Sequence, residues 1–125
     1  MQVKLLDAFQ NGIVVHIRLN ADEHKSPPAG KRWLILSGLV SHINLTADVL
    51  SINTDKNVPY ADRHQTTVFY AAIGPTIATG KYPLFNLTPS EWTAQYPPLL
   101  VIVSDWDVFF DSTADAYCNL AVLEW

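Results

Sequence analysis

The sequence has a single cysteine, Cys118, so no disulfide within the chain can hold the fold together. Set in an apolar stretch near the end, that cysteine reads as a small buried hydrophobe rather than a reactive thiol. Charge is also scarce, at 16% of residues, with eight Lys and Arg against twelve Asp and Glu. No basic run and no interleaving of basic with aromatic residues is present, which excludes a phosphate-neutralising nucleic-acid surface. No window approaches the roughly 20 consecutive apolar residues of a membrane span. The opening MQVKLLDAFQNG lacks the apolar core and small-residue cleavage site of a signal peptide, so the expectation is synthesis in a cytoplasm without export. No Gly-x-Ser-x-Gly elbow, internal repeat, low-complexity tract or linker is visible.

What is present is apolar surface. Hydrophobic residues make up 49% of the 125, including four Trp, five Tyr and five Phe. That length fits one domain able to bury a core without disulfide or metal, and the greasy composition leaves apolar area for partners. Residues 1–10 read as an N-terminal arm or edge strand, and residues 11–125 as the domain.

After the Asn11-Gly12 turn signal, Ile13, Val15, Ile17 and Leu19 alternate with Val14, His16, Arg18 and Asn20, the period of a half-buried strand with His16 and Arg18 in water. A charged loop ends in Pro27-Pro28-Ala29-Gly30. From Lys31 to Leu45 follows a dense apolar stretch, and Ser37-Gly38 within it predicts a bulge or bend. Val49, Leu50 and Ile52 predict a short strand, Val58 to His64 a polar turn, and Gln65 to Ile73 another strand stopped by Gly74-Pro75. Gly80-Lys81 reads as a turn, Leu84 to Leu87 as a short strand, and Thr88-Pro89 as the start of at most one short helix. Leu99 to Val103 has the unbroken apolar character of a strand buried on both faces. Val108 to Phe110 resumes after a polar corner, Asp111 to Asp115 turns, and Tyr117 onward alternates again. Because a long apolar edge strand invites aggregation, this last strand is expected inside a sheet. The sum is an all-β, antiparallel, jelly-roll-like sandwich of about seven to nine strands.

Candidate chemistry is sparse. Asp105 and Asp107 stand two apart, on one face of an extended chain, and with Asp111 and Asp115 form the densest acidic group. They lack the glycine and closing glutamate of an EF-hand loop, so turn-forming Asp is the simpler reading and no metal is assigned. His16, His24, His42 and His64 have no zinc-ligand spacing and read as surface or strand-face residues. Glu91 with Asp107 is the one carboxylate pair to consider for glycoside hydrolysis, and an enzyme is not the expectation. Among the aromatics, Trp33 and Trp125 lie in apolar strands and are assigned to core, which leaves Trp92 and Trp106 on loops as candidates for partner or sugar contact. The patterns Asn44-Leu45-Thr46 and Asn86-Leu87-Thr88 match glycosylation acceptors, and with export not expected they read as chance matches.

Three segments carry a family resemblance: Pro28-Ala29-Gly30-Lys31-Arg32-Trp33-Leu34-Ile35-Leu36-Ser37, the Pro-Pro-Leu-Leu-Val-Ile-Val run from Pro97 to Val103, and the closing Ala121-Val122-Leu123-Glu124-Trp125. In this order they resemble small jelly-roll structural proteins of tailed bacteriophages. The region Thr76 to Trp92 has no clear counterpart there, and Val58 to His64 is more polar than the corresponding strand. The resemblance implies a non-enzymatic virion component without cofactor, binding other virion proteins, above all the major capsid protein, as a homo-oligomer with a trimer favoured. Within that class the expectation is a capsid decoration, or cement, protein. The alternatives are a tail or neck accessory protein, or a carbohydrate-binding sandwich that uses Trp92, Trp106 and nearby Asp. Expected partner-binding residues are Val3, Leu5, Leu6 and Phe9 of the arm, which could add a strand to a neighbour, together with Trp92, Trp106 and Asp107.

Overall fold

A computed structural model describes residues 2–83 and 101–125, with side chains from Asp7 onward. It begins with a helix, α1 (Gln2–Asn11), followed by β1 (Ile13–Asn20), β2 (Glu23–Lys25), β3 (Trp33–His42) and β4 (Asp48–Asn53). A 3-10 helix (Tyr60–Gln65) precedes β5 (Thr67–Ile73), β6 (Gly80–Pro83), β7 (Asp107–Ser112) and β8 (Tyr117–Glu124). The strands form two four-stranded antiparallel sheets, ordered β1-β8-β3-β6 and β2-β7-β4-β5.

The pairing has one rule. β1 pairs with β8, β2 with β7, β3 with β6 and β4 with β5, so the chain runs as one long hairpin wrapped into a sandwich. Lateral pairing of β3 with β8 and of β4 with β7 completes the sheets. This is the eight-stranded jelly roll. β8 lies inside its sheet, between β1 and β3, where an apolar strand has both edges satisfied.

Period-two burial builds the core. Cys118, Leu120 and Val122 of β8 face inward against Leu50 and Ile52 of β4, Val108 and Phe110 of β7, and Ala71 and Ile73 of β5. In β1 only Leu19 is fully buried, while His16 and Arg18 face water as their alternation predicts. A β-bulge between Ile35 and Ser37 shifts the β3–β8 register, one residue ahead of the Ser37-Gly38 pair, and leaves Leu36 partly exposed.

A second, smaller apolar cluster holds Ala8, Leu34, Val101, Leu123 and Trp125. It explains the principal departure from the sequence reading: residues 2–11 are helical and docked rather than a strand or an arm. QVKLLDAFQN is made mostly of good helix formers with one β-branched residue. Its Ala8 is fully buried in this cluster, and Arg32 Nη2 donates to Asp7 Oδ2 at 3.2 Å.

Two smaller expectations change. Gly80-Lys81 is not a turn but opens β6, where Gly80 to Pro83 pair with His42 to Leu39. Its polarity suits an edge strand, which offers no periodic apolar signal. Within 101–103, Ile102 makes only an isolated bridge to Trp33, with both backbone hydrogen bonds at 2.9 Å, instead of a strand. Ile102 is fully buried because it covers the end of the core. The strand and helix expected between Leu84 and Trp92, the start of the Leu99 run, and Glu91 lie outside the described residues.

Candidate functional site

The outward residues of β4, β5 and β7 would be open to water if the 3-10 helix did not lie across them. That placement is dictated by one arginine. Arg63 Nη1 donates to Asp107 Oδ1 at 2.7 Å, and its guanidinium stacks 4.9 Å from the centre of the Phe109 ring. Both charges are removed from water, with the Asp107 side chain 0% and the Arg63 side chain 10% exposed. A buried charge is tolerated only when paired, so the pair fixes the helix on the sheet. Asn53 Nδ2 donates to the same Asp107 oxygen at 3.1 Å. Thr67 Oγ1 lies 2.8 Å from both Asn53 Oδ1 and the Arg63 carbonyl oxygen, and donates to one at a time. The other Asp107 oxygen, Oδ2, has no aligned donor among the described residues and lies 3.1 Å from His24 Nδ1, on a half-exposed ring.

Between this helix and the sheet a cleft of about 500 Å³ opens. The 3-10 helix lines it with Tyr60, Ala61, Arg63 and His64, and the sheet with Val49 and Ser51 of β4, Thr67 and Tyr70 of β5, and Phe109 and Asp111 of β7. Tyr60 packs edge-on to Phe109, with ring centres 5.6 Å apart, and its hydroxyl donates to Asp111 Oδ2 at 2.9 Å. That hydrogen bond is the main reason the Tyr60 phenol is held above its ordinary value, with burial and the Asp111 charge adding to it. Among the described lining residues Asp111 is the only carboxylate.

Several site expectations are corrected by this geometry. Asp107 is not a displayed corner residue: it opens β7 and is locked in the ion pair, while Asp105 is exposed in the preceding turn. The two therefore do not share a face for calcium, and Asp107 has no free face for a glycosidase partnership with Glu91. Asp111 also belongs to β7 rather than to the turn after it. His42 is not a strand-face histidine in water but fully buried, hydrogen-bonded through Nδ1 to Asp48 and with Nε2 3.1 Å from the Ile77 carbonyl. Asn44 donates to the Pro75 and Ile77 carbonyls from a turn, so its amide is occupied as a fold-holding group.

Of the expected contact residues, Trp106 is half-buried against the main core and does not reach the cleft. Trp92 lies outside the described residues, as do the side chains of Val3, Leu5 and Leu6 in α1. Phe9 is exposed. Trp33 and Trp125 are buried, as is Cys118, whose thiol burial pushes far above its usual range. The cleft residues Tyr60, Tyr70 and Asp111 escaped the sequence reading because they come from three separate segments. The one available signal was Tyr70 on the strand phase opposite to Phe69, Ala71 and Ile73.

Among the described residues no three His, Cys, Asp or Glu side chains converge as a metal site, and no helix is long and apolar enough to cross a membrane. Comparison of the chain with protein-family models, curated proteins and solved structures finds no match.

Proposed function

We propose that this jelly roll is a non-enzymatic structural protein of a tailed-phage virion, a decoration protein that binds the assembled capsid shell and stabilises it. The observation that carries the reading is exposed apolar side chains at one edge of the described structure. Phe9, Ile13 and Val14, at the junction of α1 and β1, are 68%, 63% and 55% exposed, with Ile13 and Val14 on opposite faces of the strand. β1 is also an edge strand of its sheet. An eight-residue edge with apolar side chains at one end is a liability for a free monomer and an asset for a module that docks. The wrapping of the strands agrees with the resemblance to small phage jelly-roll proteins, and the trimer expected of that class would bury the same edge.

The docking surface thus differs from the one expected of a free arm. Since residues 2–11 are helical and held by Ala8 and Asp7, strand addition from the arm gives way to contact through Phe9 and the β1 edge. Sedimenting the purified chain with phage shells stripped of accessory proteins tests the reading. Stoichiometric binding that disappears in Val14→Lys supports it. A chain that stays in the supernatant at saturating concentration overturns the decoration role, and electron cryomicroscopy that locates it on the neck or tail replaces the position while keeping the structural class.

A further inference from the structure

We propose that the cleft between the 3-10 helix and the outer face of β4, β5 and β7 binds a neutral saccharide. This inference does not rest on the virion reading, and it places the site away from Trp92 and Trp106.

Three features of the cleft select that ligand. First, Tyr60 of the 3-10 helix and Tyr70 of β5 both line the cleft with the buried Phe109 and keep 62% and 56% of their surface exposed. Neither ring is needed to close the core, and exposed aromatic rings lining one slot suit the C–H faces of a pyranose. Second, polar groups line the same cleft with capacity to spare. Asp111 uses Oδ2 to accept from Tyr60, which leaves Oδ1 to accept from a ligand hydroxyl. Ser51 Oγ accepts from Asn53 Nδ2 at 3.3 Å, which leaves its own O–H to donate. His64, exposed in the lining, adds a ring nitrogen. Third, the local charge disfavours an anion: the Arg63 charge is already matched by Asp107, and the Asp111 carboxylate in the lining repels a second negative group. Exposed aromatic faces beside a hydroxyl donor and a carboxylate acceptor suit an uncharged molecule with alternating apolar faces and hydroxyls, in a slot within the size range of small-ligand sites.

The site is also held ready. The 3-10 helix is fixed by the Arg63–Asp107 pair and Tyr60 by Asp111, so little ordering is needed on binding.

A glycan array probed with the wild-type chain, followed by titration calorimetry with the best hit, tests this. The expected result is binding of a neutral glycan, weakened at least tenfold by Tyr70→Ala and by Asp111→Asn, and unchanged by Val14→Lys on the far edge. Nuclear magnetic resonance shifts should fall on Tyr60, Tyr70 and Asp111. An array with no neutral hit overturns the proposal without any variant. So does a hit whose shifts lie elsewhere, or stronger binding of tetramethylammonium or of sialylated glycans, which would recast the aromatic lining as a cation cage or the lining arginine as an anion site.

Discussion

Arg63 and Asp107 are 44 residues apart in sequence and joined by a 2.7 Å charge-assisted hydrogen bond beside the cleft. Removing one partner strands the other charge away from water. Arg63→Met should therefore cost on the order of 3–5 kcal/mol, whereas Arg63→Met with Asp107→Leu should recover most of it. Urea unfolding of the two variants measures the difference. A single-variant cost under about 1 kcal/mol would mean the pair behaves as a surface contact and does not hold the 3-10 helix.

A second buried pair lies at the other end of the sandwich. His42 has an acceptor at each ring nitrogen, Asp48 Oδ2 and the Ile77 carbonyl, and Asp48 Oδ1 has no donor among the described residues. His42→Leu leaves the fully buried carboxylate alone, at about 3–5 kcal/mol. Asp48→Asn keeps an acceptor beside Nδ1 and loses about 1–3 kcal/mol. Thermal or urea unfolding should rank His42→Leu as the more damaging; the reverse order would contradict the arrangement.

These two pairs mark the limit of what the sequence reveals. The alternations of β1 and β8 report directly on a sheet with one dry face, and the β8 pattern is enough to place it inside a sheet. Asp107, Arg63, His42 and Asp48 look like surface residues because each is polar, and only a partner brought in by the fold makes burial tolerable. β6 is short and polar, and α1 has too few residues for a strong helical period, so neither carries a decisive pattern. The cleft depends on the 3-10 helix crossing the sheet, which is set by that same hidden ion pair.

Tyr60 gives the cleft a pH signature. Its pKa is raised, chiefly by the hydrogen bond to Asp111, so this bond's stabilising effect is complete below the ordinary tyrosine range near ~10 and is lost as pH climbs through the raised value. Asp111→Asn should bring the Tyr60 phenolate titration back toward that ordinary range. Ultraviolet difference titration, with Tyr60→Phe to identify the signal, reads it; an unshifted curve in Asp111→Asn would contradict the assignment.

Cys118 offers a probe of opening. It is completely enclosed on the inward face of β8, and burial alone drives its thiol pKa upward, so thiolate forms only when the core is exposed. Reaction with an aromatic disulfide reagent should be slower in the folded protein than in urea by roughly a thousandfold or more, following the equilibrium for opening β8. Rapid labelling under native conditions would show that β8 opens locally, which its central position between β1 and β3 argues against.

The docking of α1 can be separated from the folding of the sandwich. Ala8 is fully buried beside Leu34, Leu123 and Trp125, and a Cβ on Gly12 would stand 2.3 Å from the Ala8 carbonyl oxygen. Ala8→Arg places a long charged side chain where only a methyl fits, and Gly12→Ala forces the helix exit apart. Each should undock α1 at about 1–3 kcal/mol, with loss of helical circular dichroism and greater solvent exposure of Trp125 fluorescence, while the sheets persist. If either variant leaves both signals unchanged, residues 2–11 are not held by this cluster. If α1 undocks and shell binding is lost with it, the surface that engages the shell is the helix–strand junction carrying Phe9, because the rest of the β1 edge remains in place.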